Sequence, residues 1–467
     1  MTDHVCSPGC NHHSHIGENE KGEFAAGKEK VFSNISKGSI AAAANCRDIA
    51  ALKANNFEEG KHYYIPAHKD TVTWGYFSYS QPPVVKINSG DFATIETLTH
   101  HSGDDYERMI KGDPGAESVF HWTKDEKNID RRGAGPVDSP IGSGAGVGPH
   151  ICTGPVYIED AEPGDVLEVR ILDVVQRPSF NPEFAGKAFG SNAAANWGFQ
   201  YNDLLGGVPR EIITVYELDA LEQIAWAKAV YNYKWTTQTD PYGVDHATID
   251  YPGVIVNHDT VDKNFDVLKG FRVPVRPHFG TISVAPKEQE VVSTTPPNYN
   301  GGNIDNWRIG KGATIFLPVS VAGALFQVGD PHASQGDSEL CGTAIECSLT
   351  GKFQFVLHKQ KDLSGTKLDG LKSPLLETKD EWVVHGFSYA NYLSDLEDSN
   401  TIYQKSSVDL AMRDAFRKTR EFLMTAKGLT EDEAMSLMSI GVDFGITQVV
   451  DGNWGVHAII KKGMFPG

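Results

Sequence analysis

The chain has 467 residues, 40% of them hydrophobic and 22% charged, and a formal net charge of −19. That balance excludes a wholly disordered chain. The acidic excess argues against a nucleic-acid partner and against adhesion to an anionic membrane, since both need clustered Lys and Arg. At about 150 residues per domain the length suggests three domains or two large ones. No run reaches the ~18 apolar residues of a membrane span. Residues 313–328 come nearest and are broken by Pro318, Ser320 and Gly323. With no charged-then-apolar signal at the N-terminus, the expectation is a cytoplasmic protein. Six cysteines are too sparse for a disulfide scaffold, and Cys341 and Cys347 read as reduced core residues.

In chain order, residues 1–30 form a polar tail holding Cys6, Cys10, His12, His13 and His15. Thiolates and imidazoles bind soft metals, but the spacing matches no closed zinc finger. Residues 31–180 read as a first β part. Ser89-Gly90-Asp91 is a turn before a strand at Phe92–Leu98, and Glu162-Pro163-Gly164-Asp165 is another turn. After it, Leu167, Val169 and Ile171 alternate as in a half-buried strand. The glycine-rich 141–148 is a loop without the Lys of a phosphate-binding motif.

Residues 181–270 are irregular and rich in Asn, Tyr and Trp. They read as a loop-rich insertion with a short helix at 220–230. A second β part spans 271–360. In the C-terminal part, 361–467, an apolar stripe from Leu410 to Leu423 has helical spacing, with Ser406 near its start and Gly428 at its end. Thr430 and Glu433 form a capping box for a second helix, and a strand pair follows at 447–450 and 456–460. The fold class is therefore mainly β, as packed sandwich or barrel layers with a C-terminal α/β part.

The segment 329–339 concentrates chemistry: Asp330, His332, Asp337 and Glu339 lie within ten residues, between two apolar runs. Asp-x-His spacing lets both side chains point the same way from an extended chain. Such a set suits a divalent ion or a general acid/base pair. The plainer alternative is a solvated turn. His100 and His101 at a strand end, His150, His278, Asn303 and Asp305 carry compatible chemistry. Ser334, flanked by His332 and Gly336, resembles a nucleophile elbow with its first Gly replaced, but the strand-turn-helix context is missing.

These residues resemble the acetamidase/formamidase family in three blocks. One spans 89–175 and includes Thr153-Gly-Pro-Val-Tyr-Ile-Glu-Asp-Ala-Glu-Pro-Gly-Asp165. Another spans 277–346, with Gly301-Gly-Asn-Ile-Asp305 and Gly329-Asp-Pro-His-Ala-Ser-Gln-Gly-Asp-Ser-Glu339. The last spans 429–465, with Gln448-Val-Val-Asp-Gly-Asn-Trp-Gly455. The resemblance implies a β/β/α architecture, a homo-oligomer, a bound divalent metal with zinc as first choice, and hydrolysis of short linear amides. For such a metal the expected ligands are Asp330 and His332, joined by Asp305 or His100. Glu339 or Asp337 is then the general base, and Asn303 the donor to the oxyanion. The sequence departs from many relatives at Thr99-His100-His101, where an Asp is common. Two alternatives stay open: hydrolysis of a larger amide, and a non-catalytic β-sandwich that binds a small ligand.

Overall fold

The computed structural model describes residues 60–121, 148–200, 211–221, 224–241, 243–249 and 253–465. The Cys/His tail at 1–30 and most of the glycine-rich 141–148 lie outside the described residues.

Strand formation follows the alternation of apolar residues. Along Leu349–His358, positions 349, 351, 353 and 355 are buried while their neighbours are half-buried, as a strand with one covered face requires. Among the described residues nine strands join in one sheet. It runs from His62–Ile65 through Phe92–Thr97, Leu349–His358, Val166–Gln176, Thr314–Pro318, Leu375–Glu377 and Glu381–Phe387 to Gly455–Lys461 and Val442–Gln448. An eleven-stranded sheet contains Trp226–Lys234, Ile212–Asp219, Lys187–Ala194, Ile345–Glu346, Phe326–Ser334, His278–Ser283 and Gly301–Asn303 in that order. Its strand Ile151–Ile158 also pairs with Phe326–Ser334.

The two sheets share one core. Ile95, Val169, Phe353 and Phe355 of the first meet Phe279, Ile282, Phe326 and Val328 of the second. Ring centroids lie 5.0 Å apart for Phe326–Phe355 and 5.4 Å for Phe279–Phe353, within the favourable range for aromatic pairs. A second core covers the other face of the nine-stranded sheet. There Trp382, Val384, Ala458 and Ile460 meet Phe422 and Leu423 of the helix Val408–Lys427, and Ala434 and Met438 of the helix Glu431–Gly441. The layering is thus β/β/α, mainly β as the sequence indicated. Among the described residues no helix is long and apolar enough to cross a membrane.

The helix signals act one by one. Gly428 adopts a left-handed φ of 67° and its N–H bonds to the carbonyls of Leu423 and Met424. Thr430 and Glu433 form the reciprocal capping box. The first helix starts one residue later than expected: Ser407, not Ser406, accepts from Leu410 N.

Two expectations need correction. Among the described residues of 220–230 there is no helix: Ile212–Asp219 and Trp226–Lys234 are antiparallel strands, and the Asp219 carboxylate accepts from Leu221 N and Ile224 N. Tyr231 and Tyr233, two apart and both buried, give the period of a strand. Among the described residues of 181–270, three strands extend the larger sheet. The first part of the polar segment 329–339 is likewise not a solvated turn. The strand Phe326–Ser334 carries Asp330 and His332 within it, and all nine of its residues are buried. The apolar run ends before the strand does, and the strand continues through buried polar residues.

Helix and sheet approach closely at Gly386, where a Cβ would stand 2.1 Å from Ala415 N. Gly386→Ala should therefore destabilise the fold by about 1–3 kcal/mol, as overpacking does. Urea denaturation measures this, and an unchanged midpoint would contradict the packing described.

Candidate functional site

Strand pairing builds the site from distant parts of the sequence. His278 pairs with His332 across two antiparallel strands, and on its other side His332 pairs with Glu346. Asn303 pairs with Thr281, which brings Asp305 alongside. His150 immediately precedes the strand Ile151–Ile158, and His100 opens a short 3-10 turn, His100–Asp105, capped by Thr99. Glu339 follows a turn tied to the C-terminal strand pair, where Ser338 N donates to Thr447 O at 2.9 Å.

Asp330, His332, Asp305, Glu339, Glu346, His100 and His150 are all buried. His332 Nε2 lies 3.2 Å from Asp330 Oδ2 and 3.2 Å from Glu346 Oε1. His332 Nδ1 is 3.8 Å from Asp305 Oδ1. Asp330 Oδ1 is 3.9 Å from His100 Nδ1, and its Oδ2 is 3.7 Å from His150 Nε2. Asp330–His332–Glu346, His100–His150–Asp330, Asp305–His332–Glu339 and His100–His101–Glu346 each offer ligand atoms within 4.8 Å of one another. Imidazole and carboxylate ligands at these separations suit a borderline divalent ion.

Three features test that fit. Asp330 Oδ1 and Glu346 Oε2 are buried without a hydrogen-bond partner among the described residues, a costly state that a cation would relieve. Gly280, lying opposite Asp330, backs onto the cluster: a Cβ there would stand 2.2 Å from Asp305 Oδ1 and 2.5 Å from Asp330 Oδ2. Asp305, Asp330 and Glu339 all adopt left-handed backbone, with φ of 53°, 48° and 47°. Such conformations cost energy in non-glycine residues and gather at functional sites.

The electrostatics point the same way. Burial and the Asp330 charge push the Asp305 carboxyl up to about 7. Burial and Asp305 likewise raise Glu339, and Asp451 behind it, well above the usual carboxylate range. Burial also works against the Asp330 anion, but His150, His332 and His100 outweigh it and hold its carboxyl below that range. Burial disfavours a charged His332, yet Glu346 and Asp330 raise it well above an ordinary histidine. Burial, then the neighbouring imidazoles, lowers His100. The carboxylates thus outnumber the cations the protein supplies, and the surplus is relieved by protonation or by a bound cation.

Surrounding groups set the ring orientations. Gln335 Oε1 lies 3.1 Å from His332 Nδ1 and 3.0 Å from His278 Nε2, while Gln335 Nε2 donates to the Asp305 carbonyl at 2.7 Å. A proton on His332 Nδ1, given to Gln335 Oε1, leaves the Nε2 lone pair on the carboxylate side, where it can ligate a cation.

Of the residues singled out in the sequence, His332, Asp330, Asp305, His100 and Glu339 come together. Asp337 does not: it is exposed and pairs with Arg308 Nη1 at 3.2 Å, because the turn after Gln335 carries it outward. Asn303 is buried at the edge of this frame, with its Oδ1 accepting from Thr281 Oγ1 at 2.7 Å. Ser334 closes a strand and is not at an elbow. Burial pushes the Cys152 thiol well up, so it is no ready nucleophile. Glu346 and Asp451 lie within the family blocks but were not singled out as site residues. His150 and His101 were only isolated candidates, and the pairing that recruits them is long-range.

The profile of the Acetamidase/Formamidase family matches residues 147–292 and 273–462, together more than half of the chain. An acetamidase of Mycolicibacterium smegmatis is 31% identical over 223 residues, 42% of this chain and 50% of that protein, so the chain spans half the length of this relative. A formamidase of Methylophilus methylotrophus is 26% identical over 335 residues, 65% of this chain and 73% of that one. In fold, an acetamidase of Yersinia enterocolitica superposes with a TM-score of 0.58 at 20% identity, covering 89% of this chain and 96% of that one. One from Bacillus halodurans gives 0.55 at 18%, covering 86% and 98%. The profile match, falling on the same strands that build the cluster, places this chain in the acetamidase/formamidase family.

Proposed function

We propose that the chain hydrolyses the C–N bond of short linear amides, of the formamide or acetamide type, to ammonia and a carboxylate. The buried cluster around Asp330 carries this reading. Family membership and the names of the relatives, acetamidase and formamidase, support the substrate class. Asp330 and His332 are the primary holders of a divalent ion, zinc first, with Asp305, His100, His150 and Glu346 completing its surroundings. When bound, such an ion supplies Lewis acidity at the amide carbonyl and lowers the pKa of water to about 7.

The chain's own groups handle the protons. Burial and Asp305 raise the proton affinity of Glu339, beside Asp305 and His332, so that once ionised it is a strong base. As the carboxylate it takes a proton from the attacking water and returns it to the amide nitrogen, so that the C–N bond breaks with ammonia as the leaving group. Gln335 keeps His332 in place. Asn303, with its Oδ1 engaged by Thr281, turns its Nδ2 into the donor for the oxyanion. The free Cys152, Cys341 and Cys347 support a reducing, cytoplasmic setting, and the exposed Phe265, Phe271 and Ile440 support association into a homo-oligomer.

Ammonia release from formamide, acetamide and bulkier amides tests the reading. Turnover of the short amides, lost on chelation and restored by Zn2+, is expected. Preference for bulky amides would redirect it to a larger substrate, and binding without ammonia would make the protein a small-ligand binder. Glu339→Gln should lower kcat by about 10²–10⁴-fold while Zn2+ remains bound. Unchanged turnover would remove Glu339 from the proton path. Gly280→Ala should weaken Zn2+ binding by about 10–100-fold, and wild-type affinity in that variant would contradict the close backing of the cluster.

A further inference from the structure

We propose that Asp104 is a positioning residue for His101, holding its imidazole so that Nε2 faces His100 and Glu346. The proposal rests on the metal reading above. Asp104 Oδ2 lies 3.0 Å from His101 Nδ1 and 2.6 Å from Ser191 Oγ. With its Nδ1 proton given to a carboxylate, a neutral imidazole carries its remaining lone pair on Nε2. With Nδ1 engaged by Asp104, Nε2 is the ligand atom that His101 would offer to the group it forms with His100 and Glu346. His101 is fully buried, so its ring has no solvent to turn toward.

Asp104 is itself clamped. Its carbonyl oxygen accepts from Tyr233 Oη at 3.1 Å and from His258 Nε2 at 2.8 Å. The next residue, Asp105, accepts from Tyr231 Oη at 2.5 Å and from Arg108 Nη1 at 2.8 Å. Ser191, Tyr231, Tyr233 and His258 all belong to the stretch 181–270, which the sequence alone left without a role. Its strands reach the turn His100–Asp105 from outside and fix the carboxylate that aims His101. The match to the family profile begins at residue 147, after His101 and Asp104. A carboxylate–imidazole pair behind a metal site commonly sets the ring's tautomer and orientation, and its loss weakens metal binding by about 10–100-fold.

A double-mutant cycle on the full chain decides the matter. Zn2+ affinity is measured by competition with a chromophoric chelator for wild type, Asp104→Ala, His101→Ala and the double variant, with thermal unfolding as a control for the fold. Asp104→Ala should weaken Zn2+ binding by about 10–100-fold. In the His101→Ala background it should add less than about twofold, because Asp104 acts through that ring. Additive losses, or an unchanged affinity in Asp104→Ala while wild type binds Zn2+, would overturn the role of Asp104. A wild-type protein that binds no Zn2+ would overturn the metal reading itself, and this proposal with it. Should Asp104→Ala fail to fold, the nearly isosteric Asp104→Asn runs the same cycle with the same criteria.

Discussion

Asp330, Asp305, Glu339, Glu346 and Asp451 are carboxyl groups buried around a few imidazoles in the interior of a β protein. Taking a carboxylate out of water costs several kcal/mol unless opposite charge compensates it. Here the protein's own compensation is incomplete. Asp330 is held as an anion by His150, His332 and His100, while Asp305, Glu339 and Asp451 are driven toward protonation. The rest of the structure is arranged to keep these groups together at that cost. A divalent ion at the centre would turn mutual repulsion into shared ligation.

The frame that holds them is rigid for simple reasons. Between the sheets, Phe279, Phe326, Phe353 and Phe355 lock the strands that bear the site. Gly280 lets Asp305 and Asp330 come within reach of the same point, where any side chain would intrude. The left-handed backbone at Asp305, Asp330 and Glu339 is strain that a well-packed surround can sustain. The β/β/α layering follows from the same economy. The second face of the nine-stranded sheet is apolar at Trp382, Val384 and Ile460, and the amphipathic C-terminal helices cover it.

Much of this was legible in the chain because its causes are local. Gly428, Thr430 and Glu433 set helix ends within a few residues, and the alternation at Leu167, Val169 and Ile171 announced a strand. Asp330 and His332 announced themselves by Asp-x-His spacing. What escaped depends on pairing across the sheets. Glu346 sits in an apolar run and joins the cluster only because it lies opposite His332. Asp451 arrives from the C-terminal strand pair. Asp337 shares the motif's composition, yet one turn carries it to the surface and Arg308. The 220–230 stretch had helix-forming residues, but from Trp226 the chain is a strand, whose buried Tyr233 donates to the Asp104 carbonyl in the His100–Asp105 turn.

The most direct test of the account is anomalous diffraction at the zinc edge from crystals of the Zn2+-loaded protein. The account predicts a peak inside the cluster, about 2.0–2.2 Å from an Asp330 oxygen and from His332 Nε2. Protein that releases ammonia from formamide while the cluster shows no such peak would contradict it.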